Sequence, residues 1–511
     1  MEELRELVYI LTQSAAQDAY FTSTYFGGGG SKMQQLFDAI QKEEVTDDQE
    51  AVELIYGEQR ITSKYRNLKY ELKKRLLDAL LLVKPSGGKG RNEAYYQCWK
   101  EWAACQILIE KSARTSAKAI AQRLLRKAVQ YDFLSLVVNI ALFLRNHYAL
   151  RERNRERFEY FDELYERYQQ EEAYNNLAHK YYMRLILDHA QDSVIANPQI
   201  EADAQRYLEE LTPLKDQATN AKFYYYLYQV QLLGKMGVFN YQEARDICAE
   251  AIAYLDQSNF EFKGGALNFL LNKLVCHIQL GEFEEGKKTA IACSELVEEG
   301  TFNWFKTQEY LFLLSAHTRN YQSAYDSYYA VVNHPRYNAY TILHETWSLY
   351  KMYLHFLYLL GKFELAAGDR SFSKVRLGKF LNETPSFAKD KQGMNIPVLI
   401  IQMAFLILQH KYDLAVERID ALNKYCDRYL RGNDPNFRCN CFIKMLLEIP
   451  KSAFHRNGAE RRAQRYLKRM KTTAINFSSQ AHELEILPFE DFWYLILQTL
   501  DNKFYEVKQL R

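Results

Sequence analysis

The sequence offers one stretch whose order suggests phosphate chemistry, GGGGSK at residues 27–32. The preceding AYFTSTYF is aromatic and β-branched, and the following KMQQLFDAI has helical spacing. Strand, glycine loop, lysine and helix is the order of a nucleotide-binding loop. That loop needs G-x-x-x-x-G-K followed by Ser or Thr, so that the lysine reaches the outer phosphates and the hydroxyl binds Mg²⁺. Here Ser31 precedes Lys32, and Met33 stands where the hydroxyl should be. Four glycines in a row also cost much chain entropy to order, and GGGGS has the composition of a flexible linker. The stretch therefore reads as a mobile joint that contacts no nucleotide, with Ser31 as the N-cap of the next helix.

Other reactive residues are scattered. Cys439 and Cys441 lie two apart with His455 downstream, but no second Cys or His pair completes a tetrahedral metal set. His344-Glu345 lacks the second histidine of a metalloprotease helix. A nucleophile needs a base and an orienter beside it, and no GxSxG elbow occurs. Cys98 and Cys105, seven apart beside Trp99 and Trp102, are explained by helix packing. His277 and His355 fall inside apolar helical runs, as hydrogen-bonded core or groove histidines do. The expectation is a non-enzyme with no catalytic residues, no metal and no cofactor.

Charge is the remaining chemical signal. The chain carries 66 Lys and Arg against 64 Asp and Glu, a balance unlike a nucleic-acid coat protein. Two helical stretches are locally basic. In ITSKYRNLKYELKKRLLDALLLV, Tyr65, Leu68, Leu72, Leu76, Ala79 and Val83 form the inward face. Arg66, Lys69 and Lys73 form a stripe beside it, flanked by Lys64, Lys74 and Arg75. In GAERRAQRYLKRMKT, Ala463, Tyr466, Leu467 and Met470 face inward, and Arg461, Arg465, Lys468 and Arg469 point elsewhere. These nine residues, Lys64, Arg66, Lys69, Lys73, Lys74, Arg461, Arg465, Lys468 and Arg469, make up the candidate contact surface. Such faces serve phosphates, an acidic partner or only water. The region LIYGEQRITSKYRNLKYELKKRL resembles the recognition-helix region of winged-helix regulators, although no hairpin wing follows.

The elements that must position these residues are helices. Only 21 Gly and 9 Pro punctuate 511 residues, too few for a hairpin-rich fold. From about residue 220 five segments align: NYQEA ending at Ala244, EFEEG at Gly286, NYQSA at Ala324, KFELA at Ala366 and KYDLA at Ala415. Each places an aromatic three positions before a small residue, at intervals of 42, 38, 42 and 49. Each follows an apolar helical run and is expected to open a second helix. A period near 40 in a helical chain marks stacked helix pairs. The pattern resembles the tetratricopeptide repeat, most closely at GEFEEG and GKFELA. It departs from that family in its longer period and in lacking most of the family's Trp, Leu-Gly and Pro positions. The expectation is an all-α fold: a right-handed α-solenoid over residues 92–511, clearest over 220–430, behind a small helical head over 1–91. LPFEDFWYLILQTL, residues 487–500, should cap the end of the stack.

The resemblance implies a groove lined by the first helix of each pair. Those helices carry KFYYYLYQ, WFKTQEYLF and ETWSLYKMYLHFLY, in a chain with 39 Tyr. Aromatic anchors with adaptable polar neighbours suit protein recognition, although Tyr225 and Tyr228 show that sequence does not separate groove from interior. The most apolar stretches, FLSLVVNIALFL and IPVLIIQMAFLIL, fall short of a membrane span of roughly 18 residues. The acidic start has no secretory pattern, and eight dispersed Cys suit a reducing cytoplasm. The expected function is a cytoplasmic interaction or scaffold protein that holds a protein or peptide. The alternative is a regulator with a nucleic-acid-binding head and a tetratricopeptide-like sensor region.

Overall fold

Helix starts follow local chemistry in the computed structural model, which describes residues 1–15, 30–81, 90–192, 197–257, 263–372, 395–419, 437–473 and 485–505. In the head, α1 is Glu2–Ala15, α2 Lys32–Gln41, α3 Asp48–Tyr56 and α4 Ser63–Leu80. Ser31 caps α2 by accepting from the Gln34 N–H at 3.1 Å. Asp47 caps α3 by accepting from the Gln49 and Glu50 N–H groups at 2.8 and 2.9 Å. Each such cap satisfies backbone donors that have no partner inside the helix. The first three residues of the glycine run, and Val83, lie outside the described residues. Tyr65, Leu72, Leu76 and Ala79 of α4 are buried against Leu4, Val8, Phe37 and Ile40, the inward face the spacing predicts.

The chain divides into two compact units, Met1–Ala173 and Tyr174–Arg511. The first unit also holds α5 (Arg91–Glu110), α6 (Arg114–Gln130), α7 (Leu134–His147) and the start of α8 (Arg155–Asp192). Cys98 and Cys105 of α5 pack on Ala117, Ala121 and Leu124 of α6. Burial pushes both thiols up from their ordinary value.

In the second unit α9 is Pro198–Leu211, α10 Ala221–Gly237, α11 Tyr241–Gln257, α12 Lys263–Leu280, α13 Phe283–Leu296, α14 Phe302–His317, α15 Tyr321–Val332 and α16 Thr341–Leu359. There follow α17 (Asn395–Leu408), α18 (Phe437–Lys451), α19 (Arg456–Met470) and α20 (Phe489–Gln498), and residues 412–419 are also helical. Consecutive helices pack on one another, and no strand occurs among the described residues. This is an all-α, solenoid-like stack of helix pairs.

The repeat is, physically, a turn. Phe239, Gly281, Arg319, Gly361 and His410 all adopt positive φ, between 55° and 69°. After each, the next N–H reaches back five residues: Asn240 to Lys235, Glu282 to His277, Asn320 to Ser315, Lys362 to Leu357 and Lys411 to Leu406, at 2.8–3.1 Å. This left-handed cap closes the first helix and turns the chain. The repeat's aromatic comes two residues after the positive-φ residue and opens a helix at Tyr241, Phe283 and Tyr321, as at Tyr412. The small residue one turn on is buried at Ala244, Gly286, Ala324 and Ala415. A Cβ on Gly286 would stand 2.5 Å from Leu314 Cδ2, so the second helix approaches the next pair too closely for a side chain.

KFELA departs from the expectation. The turn at Gly361 forms, but residues 361–372 are not helical. Gln322 exchanges two hydrogen bonds with the Glu364 backbone, at 3.0 and 3.2 Å. Tyr325 accepts from the Ala366 N–H at 2.9 Å and donates to Asp369 at 2.6 Å. Gly368 takes φ +83°, and Asp369 accepts from the Ser371 N–H at 2.7 Å. Turn-forming Gly-Asp-Arg-Ser chemistry thus wins over helix, and Phe363 and Phe372 bury themselves as an irregular strap.

The last helix also does more than cap. Phe492 of α20 packs on Tyr353 and Phe356 of α16, with ring centroids 5.3 and 5.5 Å apart. Arg319, in the turn before α15, forms a two-pronged pair with Asp491 at 2.6 and 2.8 Å. His317 bonds the Glu485 carbonyl at 2.8 Å. The segment 485–498 is therefore folded back onto helix pairs about 170 residues earlier.

Candidate functional site

The first helices of consecutive pairs bring polar and aromatic side chains together. Tyr225 and Gln229 are one turn apart on α10, as are Asn268 and Asn272 on α12. Gln229, only 2% exposed, donates to Asn268 Oδ1 at 2.7 Å. Asn272 donates to the Asn268 carbonyl and side-chain oxygen at 2.9 and 3.2 Å. The Tyr225 hydroxyl bonds both Gln229 and Tyr182 of α8. The Tyr225 ring packs edge-on against Phe269 at 5.5 Å, and Tyr226 lies 4.7 Å from His179 and 5.7 Å from Tyr182. One chain of hydroxyls and amides thus crosses α8, α10 and α12, with Tyr182, Tyr225, Asn268 and Asn272 half-buried. On α14, Lys306 pairs with the nearly buried Glu309 at 2.9 Å and lies over the Tyr310 ring.

Burial pushes the Tyr182, Tyr225 and Tyr226 hydroxyls up, so all stay protonated near neutrality. The cluster is a set of neutral donors, acceptors and ring faces. Amides both donate and accept, which matches the alternating N–H and C=O groups of a polypeptide main chain. Sequence reasoning pointed to YYYLYQ but not to its face. The signal that could have shown it is the placing of Gln229, Asn268 and Asn272, three amides inside otherwise apolar helical runs.

The basic residues behave differently. On α4, Lys69 pairs with Asp48 at 2.7 Å and Lys73 with Glu3 at 2.6 Å. Burial lowers the Lys69 ammonium, but hydrogen bonds to Asp48 outweigh it and hold it above its usual value. The same carboxylate accepts from Tyr65 at 2.8 Å. Two of the stripe's cations are therefore neutralised by α1 and α3, which leaves Lys64, Arg66 and Lys74 exposed. On α19, Arg461, Arg465, Lys468 and Arg469 are all exposed. Arg465 is drawn toward Glu448 at 3.6 Å and lies over the Tyr466 ring, and Arg469 lies over Phe437. The α4 and α19 sets belong to different units.

The isolated histidines sit in packed surroundings. His277 Nδ1 bonds Glu282 at 2.7 Å, His355 stacks on Phe372 and His344 lies against Tyr337. Cys439 and Cys441 are buried in α18. Among the described residues no three His, Cys, Asp or Glu side chains stand close enough to hold a metal ion, and no helix is long and apolar enough to cross a membrane.

Fold and site thus define an all-α protein of stacked helix pairs with a polar and aromatic face on its first helices. The chain matches no family model, no curated protein and no solved structure.

Proposed function

We propose that this is a cytoplasmic, non-catalytic interaction protein, tetratricopeptide-like in its repeat, that holds an extended segment of another protein. The observation that carries this reading is the hydroxyl and amide chain from Tyr182 through Tyr225 and Gln229 to Asn268 and Asn272. Its groups are already ordered by one another, so a bound main chain gains hydrogen bonds without the cost of freezing long side chains. The half-buried rings beside it supply apolar contact of the kind that dominates binding hot spots.

The test is affinity capture from native lysate, with the captured protein mapped by peptide array. Tyr225→Ala and Asn272→Ala should each weaken the best peptide at least tenfold, while the unfolding midpoint stays close to that of the parent. Peptide binding that ignores both substitutions would refute the assignment to this face.

A further inference from the structure

The segment Phe437–Thr473 carries ten Lys and Arg against two Glu, in a chain whose net charge is only +2. We propose that the exposed face of α19 and the ring of Phe504 form a second binding surface, one for single-stranded nucleic acid. This surface stands apart from the peptide-binding reading of α10 and α12 and does not depend on it.

Three observations carry the inference. The first is unbalanced charge at a buried anchor. Glu448 of α18 is 3% exposed, and Lys451, Arg462 and Arg465 approach its carboxylate at 3.2, 3.2 and 3.6 Å. Three cations share one anion, so the node keeps a positive excess even when every contact is made.

The second is a preset row. Arg461, Arg465, Lys468 and Arg469 recur at i, i+4, i+7 and i+8, one helical face about 12 Å long at 1.5 Å per residue. Arg461 and Lys468 have no ion-pair partner among the described residues, and the guanidinium groups of Arg465 and Arg469 rest on the rings of Tyr466 and Phe437. Stacked guanidiniums lose less freedom when they grip an oxyanion, and their fork matches phosphate.

The third observation distinguishes nucleic acid from an acidic peptide. Phe504 is 76% exposed, yet its ring is held flat against His455, the N-cap of α19, with centroids 4.3 Å apart and planes 22° from parallel. Exposed Lys503 precedes Phe504 in sequence, and exposed Arg456 follows His455. A fixed, open ring at the N-terminus of the helix that carries the cationic row offers bases a stacking platform. A polyglutamate chain would use the cations and leave the ring empty. A duplex would offer phosphates but no open base. The row presents no amide side chain to base edges other than Gln464, so weak sequence preference is expected.

The test uses the full chain and fluorescence anisotropy with a labelled twelve-nucleotide oligouridylate, a duplex of equal length and a twelve-residue polyglutamate. The single strand should bind most tightly, and weaken as salt rises. Arg461→Glu with Arg465→Glu and Lys468→Glu should lower affinity at least tenfold and reduce the log–log salt slope by about 2, from three lost contacts at about 0.7 each. Because Arg465 touches Glu448, the pair Arg461→Gln and Lys468→Gln provides a milder variant that should act in the same direction. Phe504→Ala should weaken binding about fivefold or more while leaving the salt slope unchanged. No binding at 50 mM salt, equal or tighter binding of the duplex or polyglutamate, or indifference to Phe504→Ala would each overturn the proposal.

Discussion

Replacing Arg438 with Met tests how the end of the chain is held. Arg438 is 8% exposed and makes five hydrogen bonds. Two go to Glu485, at 3.0 and 2.7 Å, and one to Glu490 at 2.6 Å. The other two go to the carbonyls of Met470 and Thr473, at 3.2 and 2.8 Å. Burial pushes the Glu485 carboxyl up, against the pull of Arg438. Removing the guanidinium leaves that carboxylate buried with, among the described residues, only the Phe489 N–H to donate to it. Breaking one side of a buried pair costs about 3–5 kcal/mol. With a urea m-value of about 3 kcal/mol/M, the midpoint of the unfolding transition should fall by about 1 M or more. Trp493, buried on α20, supplies the fluorescence signal. An acid whose folded pKa is raised favours the folded state below its unfolded pKa and loses that advantage as pH rises through the folded value. The deficit of Arg438→Met should therefore be smaller at pH 5 than at pH 8. Adding Glu485→Gln removes the stranded charge, keeps an acceptor for Phe489, and should restore more than half of the loss. A single-variant cost below about 1 kcal/mol, or a double variant no better than the single, would refute the reasoning.

Three further outcomes can be checked by the same unfolding measurements. Gly361→Ala, at φ +65°, should destabilise by about 1 kcal/mol, and Ser112→Gly, at φ 60°, should stabilise by about 0.5 kcal/mol, because only the first change puts a Cβ into the left-handed region. Ala324→Leu, at a fully buried position between helices, should cost about 1–3 kcal/mol through overpacking. Burial pushes the His355 imidazole down to about 4, so the folded state resists its protonation. Stability should fall as pH drops from about 6.5 toward 4, by about 1 kcal/mol once partial exposure is discounted. His355→Leu should flatten that limb of the profile.

Local signals in the sequence reached the helices and their turns. Ser31 announced its cap because an N-cap acts within three residues. The aromatic and small positions announced the second helices at Tyr241, Phe283, Tyr321 and Tyr412, since both belong to one turn and its first helical step. The same signal failed at Phe363, where partners on α15, forty residues away, hold the strap in place. The α4 stripe showed the same limit: a helical wheel counts charges on its own helix, whereas Asp48 and Glu3 come from neighbours. The hydroxyl and amide chain was half legible. Tyr225 and Gln229 fell within KFYYYLYQ, whereas Tyr182, Asn268 and Asn272 did not stand out; the bond from Gln229 to Asn268 joins two helices, and periodicity does not say which faces meet. The Arg438–Glu485 pair spans 47 residues and left no pattern at all.

An open stack of helix pairs folds by adding neighbours, each pair lending stability only to the next. The clasp between Arg319 and Asp491 changes that rule for the second unit. Phe492 supplies part of the surface that buries Tyr353 and Phe356, so α16 is incomplete until α20 arrives. During synthesis the turn at Arg319 leaves the ribosome 172 residues before its partner. At 5–20 residues per second that is a wait of about 10–30 seconds with aromatic surface uncovered. What looks like a row of independent beads is closed on itself, so its middle and its end should melt together, and the interval before closure is when the nascent chain most needs a chaperone.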